Sequence, residues 1–317
     1  MDHPPPASQP AWRPGAGIET LRRRARMLER TRDFFAARSI LEIEAPVIQT
    51  GANLDHGICP MTVDQDAGHL ITSPEHALKR LLAAGYGDIW SLTPVFRHGE
   101  MGRRHNPEFR LLEWYRQGFD LQEMAGETLD LLAEVSGQTT ASHWISYHDA
   151  YARYADCHPD TDDVATLAAV LTADEAQAAA GNKAMILDLI MTQVIQPRLP
   201  PDRWTVIDYF PADQAAQARC LRDDHGRAVA ARFEIYRGPL ELANGYHEES
   251  DPDILRQRFA NEHQGPGPAP YDEYFLAAMT NGLPDCAGVA VGFDRLCMVA
   301  CGLNDIDAAM AFSWSRR

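Results

Sequence analysis

The sequence predicts an α+β fold, an antiparallel sheet flanked by helices and carrying a helical insertion, and three observations predict it. Alternating segments recur in pairs, as in DIWSLTPVFR and EFRLLEWYRQ on either side of the polar stretch HGEMGRRHNPE. A stretch from about 142 to 201 turns Ala-rich and helical. Further on, the Gly-rich segment GVAVG runs straight into an amphipathic helix. Hairpins with helices added at their ends argue against a doubly wound parallel sheet.

Taken in order, Ile18 to about Arg38 is helical, with Leu21, Ala25, Leu28, Arg32 and Phe35 recurring at helical spacing toward the core. Its other face carries Arg22, Arg23, Arg24, Arg26 and Arg30, a basic stripe that reads first as a solvated face and second as a docking surface for an acidic partner. ILEIEAPVIQ alternates as a strand from Ile40 until Pro46 interrupts it. HLITSPEHALKRLLAAGYG reads as strand, cap and helix: Ser73 is the N-cap, Pro74 the first helical residue, Leu78, Leu81 and Leu82 face inward, and Gly85 stops the helix. The long hairpin with a charged tip follows, then the helical insertion. Strands return at RWTVIDYF and in a hairpin, RAVAARFEIYRGPLELANGY, turning at Arg237, Gly238 and Pro239. EHQGPGPAPYDEY is a loop.

Composition bounds the function. Among 317 residues, 45 Asp and Glu outnumber 29 Lys and Arg, and the formal net charge is −16. Binding a polyanion relies on cations that displace its counterions, so nucleic acid is a poor expectation for the partner. Hydrophobic residues make up 45% of the chain, enough for a substantial core. No apolar run approaches the roughly 18 to 20 residues of a membrane span. Residues 1–17, rich in Pro and without a signal-like apolar stretch, read as a flexible tail on a cytoplasmic protein. The six cysteines lack CxxC spacing and read as mostly buried thiols.

Three segments place Arg or carboxylates beside tight backbone. In VFRHGEMGRRHNPEF, Arg97 stands at a strand end where a guanidinium can grip a phosphate bidentately, with Arg103, Arg104 and His105 in the loop beyond. In GVAVGFDRL, Gly288 and Gly292 bare one face of a strand to a flat ring, and Arg295 at the following helix start can reach a terminal phosphate. Glu234, Glu241 and Glu248 lie seven residues apart across a hairpin, where carboxylates can share Mg²⁺ with a nucleotide triphosphate.

Together these segments resemble the class II aminoacyl-tRNA synthetases, the lysine-specific branch most closely. FRHGEMGRRHNPEFRLLEWY is similar to motif 2, GVAVGFDRL to motif 3, ILEIEAPV to motif 1 with its dimer-interface proline, and ELANGYHE to the signature of lysine enzymes. The resemblance runs from about Ile18 onward. Motif 1 begins about forty residues in, so there is no room for the anticodon-binding domain of those enzymes. That length resembles the truncated paralogues that attach lysine, preferably (R)-β-lysine, to a lysine of translation elongation factor P.

The resemblance implies ATP as co-substrate, Mg²⁺, a homodimer, and elongation factor P rather than tRNA as acceptor. Arg97 would bind the α-phosphate and Arg295 the γ-phosphate, with His98, Gly99, Glu100, Asn106, Phe109, Glu241, Leu242 and Gly292 bordering the nucleotide. Glu234 and Glu241 would hold Mg²⁺. Ser73, Pro74, Glu75, Tyr115, Glu248 and Ala290 would form the amino-acid pocket, Glu75 and Glu248 taking its ammonium groups. Two positions depart from the pattern. Gly99 stands where motif 2 carries Glu, and the carboxylate comes one place later as Glu100, which on a strand would face the other way. Ala290 stands where a lysyl-tRNA synthetase carries Gly, reshaping the pocket floor for a moved amino group. A tRNA-charging enzyme and a catalytically idle regulatory paralogue stay open as alternatives.

Overall fold

The computed structural model describes residues 12–51, 58–63, 68–139, 141–262 and 271–316. In chain order its elements are α1 (Ile18–Ala36), β1 (Leu41–Glu42), β2 (Ile48–Gln49), β3 (Met61–Val63), β4 (Gly68–Leu70), α2 (Glu75–Ala83), β5 (Ile89–Phe96), β6 (Glu108–Gln117) and α3 (Leu121–Ser136). The insertion holds β7 (Ser142–Ser146), α4 (Tyr147–Ala155), α5 (Val164–Ala168), α6 (Ala173–Ala178) and α7 (Lys183–Leu189), the last prolonged by a π-helical turn, Ile190–Ile195. Then come β8 (Trp204–Pro211), β9 (Cys220–Arg222), β10 (Ala228–Arg237), β11 (Leu240–His247), α8 (Pro252–Glu262), α9 (Glu273–Asn281), β12 (Cys286–Gly292) and α10 (Phe293–Cys301).

The main sheet runs β1-β5-β6-β12-β11-β10-β8-β7, with β9 paired beside β10. It is antiparallel through its middle and ends in a parallel pair on each side, β1 with β5 and β7 with β8. The strands alternate strictly enough to sort their residues by face. Leu112 and Trp114 of β6, Phe233 and Ile235 of β10, and Val289 and Val291 of β12 enter a core with Phe34, Phe35, Leu131 and Leu296 from α1, α3 and α10. The intervening residues, Glu113 and Tyr115, Glu234, and Gly288, Ala290 and Gly292, share the opposite face. Tyr147, Tyr151, Leu187 and Ile190 of the insertion pack with Ile207 and Phe210 in a second core, and α2, α8 and α9 build a third around Leu78, Leu255 and Phe275.

Several expectations change. The strand from Ile40 is only two residues long, because Pro46 and an exposed edge leave no ladder to continue it. The stretch 142–201 opens with a strand, β7, that joins the main sheet before the helices begin. Helix α3 was not expected; Asp120 caps it, accepting the Glu123 N–H at 2.8 Å while Glu123 accepts the Asp120 N–H at 2.9 Å. Cys157, Cys286 and Cys297 are buried, but Cys59 and Cys220 are exposed. The expected tail lies partly outside the described residues. Its near end is fastened, since Gly15 and Ala16 donate to Ala311 and Met310 at 2.9 Å each. Most of the loop EHQGPGPAPYDEY also lies outside them, although Asp272 within it caps α9. No described helix is long and apolar enough to cross a membrane.

The inward face of α1 is rotated from the one expected. Met27, Thr31, Phe34 and Phe35 are buried while Ala25 and Arg32 are exposed. Arg24 also belongs to the inner side, where Nη1 lies 2.7 Å from Asp294 Oδ1 and the guanidinium sits over Phe293. Arg23 and Arg30 donate to the Ser136 and Glu134 carbonyls at 3.3 Å, and Arg22 pairs with Glu19 at 2.6 Å. Much of the basic stripe therefore clamps α1 onto α3 and α10.

Candidate active site

At the phosphate-gripping end, Arg97 follows β5 directly. Its Nε donates to the Thr72 carbonyl at 3.3 Å, and its guanidinium lies over Phe109, 5.1 Å from the ring centroid. A carbonyl on one side and an aromatic face on the other aim the cation. Gly99, at φ +80°, turns the chain so that Glu100 comes back to 3.5 Å from Arg97 Nη1. The face-reversal expected for Glu100 does not arise, because β5 stops at Phe96 and alternation ends with it. His98 is exposed and its N–H donates to the Cys59 carbonyl. Asn106 is buried and spends its amide on the protein: Nδ2 donates to the Glu108 carbonyl and Oδ1 accepts the Trp314 N–H at 2.8 Å.

Arg295 sits in the first turn of α10, just past Gly292. It donates to the Arg104 carbonyl at 3.2 Å and to the Glu241 carbonyl at 3.0 Å, with Nη2 2.7 Å from His105 Nε2. Arg104 in turn donates to the Pro239 carbonyl. Two hairpin tips thus meet at one helix start. A Cβ added at Gly292 would meet Arg295 at an ordinary 3.6 Å, whereas one at Gly288 would come within 2.3 Å of Tyr115 and 2.5 Å of Glu248 Oε1. The bare face expected at Gly288 is therefore filled by the protein's own Tyr115 and Glu248.

The carboxylate ladder divides in two. Glu241 stays half-exposed near Glu234, whose oxygens accept from Arg232 Nη2 and the Tyr236 hydroxyl. Burial raises the Glu234 pKa, and the Arg232 cation opposes that rise. The donor set here is two carboxylates, hard oxygen ligands of the kind that hold Mg²⁺ jointly with phosphates; no group of three or more His, Cys, Asp or Glu side chains placed to hold a metal ion occurs among the described residues. Leu242 is buried in the main core, so only its backbone borders this site.

Glu248 belongs to the other half, with the expected amine-binding residues. Ser73 Oγ accepts the Glu75 N–H at 3.0 Å, acting as cap although the helix proper starts one residue beyond Pro74. The same hydroxyl donates to Glu113 Oε2 at 2.8 Å, and Tyr115 donates to Glu113 Oε1 at 2.6 Å. Lys79 Nζ lies 2.6 Å from Glu75 Oε1 and 2.6 Å from Glu248 Oε2, and Gln217 Nε2 donates to Glu75 Oε2 at 2.7 Å. Burial and the Glu75 charge push Glu113 up to about 8. Burial pushes Glu248 up to about 7 against the pull of Lys79. For Lys79 burial acts downward, but the Glu248 and Glu75 carboxylates outweigh it and the ammonium is stabilised.

The structure thus gathers Ser73, Pro74, Glu75, Tyr115 and Glu248 around one buried polar cluster, with Ala290 between Glu113 and Asn244 in the ladder beside it. Arg97, Arg295 and Glu241 all lie close enough to His105 to act on it electrostatically, and Phe109 lies under Arg97. The family model for class II tRNA synthetases (D, K and N) matches residues 16–316. The chain belongs to the class II tRNA synthetase family. Within it, an elongation factor P–(R)-beta-lysine ligase of Proteus mirabilis is 39% identical over 95% of this chain and 97% of its own. Proteins of the same name from Klebsiella pneumoniae and Salmonella dublin are each 38% identical over 96% of this chain and 98% of theirs.

Sequence reasoning about this class II site missed Lys79, Gln217, Glu113 and Arg232. Glu75 and Lys79 did carry a signal, the i,i+4 spacing of an ion pair. Nothing local marks that pair as buried.

Proposed function

We propose that this chain activates lysine or (R)-β-lysine with ATP as an aminoacyl adenylate and transfers it to the ε-amine of a lysine on translation elongation factor P. The observation that carries the reading is the 38–39% identity, over nearly the whole length of both partners, to ligases of that name. In this reading the substrate carboxylate attacks the α-phosphorus, pyrophosphate leaves, and the acceptor amine then displaces AMP at the activated carbonyl. Arg97, aimed by Thr72 and Phe109, neutralises charge that develops on the α-phosphate, and Arg295 holds the γ-phosphate. For Arg295 this means exchanging its present hold on the loop carbonyls for phosphate oxygens.

Glu241 and Glu234 would hold Mg²⁺, which offsets polyphosphate charge when bound. Glu248 and Glu75 take the substrate's ammonium groups, Tyr115 closes the pocket, and Ala290 shapes its floor. His98, Gly99, Glu100 and Asn106 border the nucleotide. The exposed Leu41 and Ile48, on either side of Pro46 in sequence, support a homodimer formed through this edge, and the enzyme acts in the cytoplasm. Intact-mass measurement of elongation factor P after incubation with the enzyme, ATP and (R)-β-lysine tests the proposal. A gain of one lysyl residue is expected; no gain, or charging of tRNA instead, refutes it.

A further inference from the structure

Lys79 is a buried group to which the reaction above gives no task. It lies on α2 one turn after Glu75, with no exposed surface. Its Nζ collects oxygens from three segments: Glu75 and Glu248 at 2.6 Å each, and Gln217 Oε1 at 3.1 Å. Gln217 also donates to the second oxygen of Glu75. Lysine is seldom fully buried unless paired, and an apolar side chain of the same length would fill this space at no desolvation cost. Core packing therefore does not explain the ammonium.

We propose that Lys79 is a positioning and specificity residue of the amine pocket: its fixed ammonium holds Glu75 and Glu248 at a set separation and cancels one of their charges. This rests on the reading of lysine or β-lysine as substrate. Such a substrate carries two ammonium groups and one carboxylate, a net charge of +1. With Glu75 and Glu248 both ionised against the substrate's ammonium groups, Lys79 leaves the three together at −1, burial favouring a neutral Glu113. The charges of pocket and substrate then match. A diamine without the carboxylate, at +2, is over-charged for the pocket, and without Lys79 it would be matched. Lys79 thus favours an amino acid over a simple diamine of similar length.

The test is lysine-dependent ATP–pyrophosphate exchange, with 1,5-diaminopentane as competitor, on the whole chain and on Lys79→Met. The KM for lysine should rise about tenfold or more, as when one partner of a buried charge pair is removed. The kcat should stay within about threefold, since the phosphate end is untouched. The inhibition constant of the diamine, relative to the lysine KM, should fall by about tenfold. An unchanged KM, or a loss of kcat alone with the diamine ratio fixed, overturns the proposal. If Lys79→Met does not fold, Gln217→Met keeps the cation and removes its tether; a several-fold rise in lysine KM is expected and an unchanged KM overturns it. Absence of lysine-dependent exchange in the unaltered chain would instead refute the substrate reading.

Discussion

Arg24 and Asp294 come from opposite ends of the chain and meet at 2.7 Å, tying the first helix to the residue beside Arg295. The second oxygen of Asp294 accepts the Arg110 N–H at 2.7 Å, so one buried carboxylate joins α1, β6 and α10. Asp294→Asn leaves Arg24 without its counter-charge. It should cost on the order of 3 kcal/mol, the usual penalty for breaking a buried pair, and should raise the KM for ATP by loosening Arg295. Thermal unfolding with ATP-dependent exchange checks both; an unchanged Tm refutes the clamp.

Gly288→Ala places a methyl within 2.3 Å of the buried Tyr115 ring and 2.5 Å of Glu248 Oε1. Neither neighbour is a free chain end. Overpacking of this kind costs about 1–3 kcal/mol, and here it also displaces Tyr115 and Glu248. Lysine KM should rise while ATP KM holds, measured by exchange at varied concentrations of each.

Burial raises the Glu113 carboxyl from 4.5 to about 8 and Glu248 to about 7. Between 4.5 and those values the folded chain binds more protons than the unfolded one. These groups therefore make stability fall as pH rises from 4.5 toward 8, levelling beyond. Glu113→Gln removes its share of that slope. Tm measured from pH 5 to 9 should decline less in the variant, and parallel curves would contradict the assignment.

Ala290 sits on the same face of β12 as Gly288 and Gly292, opposite Glu113 in the ladder. Removing its methyl lowers the pocket floor beside the amine cluster. Ala290→Gly should raise kcat/KM for α-lysine relative to (R)-β-lysine, and unchanged discrimination would refute the steric role.

Much of this fold was legible because its signals are local. Alternation framed β5, β6 and the β10–β11 hairpin, and Arg237, Gly238 and Pro239 marked the turn. Helix α3 was legible too, through Asp120 and Glu123 ahead of an apolar run, yet it went unread. Other features depend on partners far along the chain. Arg24 joins the inward face of α1 only once Asp294, far along the chain, is placed beside it. Lys79 resembles a surface ion-pair partner of Glu75 until Glu248 and Gln217 close over it. Gly288 appears bare until Tyr115 fills the space beside it. Arg97 and Arg295 stand where the sequence put them, at a strand end and a helix start, since such boundaries are visible in sequence.

The position of β12 bears on how the chain is made. Among the described residues it is the last strand in sequence, lies between β6 and β11, and is the one strand that joins the β1-β5-β6 half of the sheet to the β11-β10-β8-β7 half. A nascent chain that stops short of Cys286 carries two open strand edges, each a template for unwanted pairing. Closure needs contacts of long sequence separation, which form slowly. Synthesis therefore delivers both groups of strands before the strand that unites them, and the growing polypeptide carries these open edges until β12 emerges.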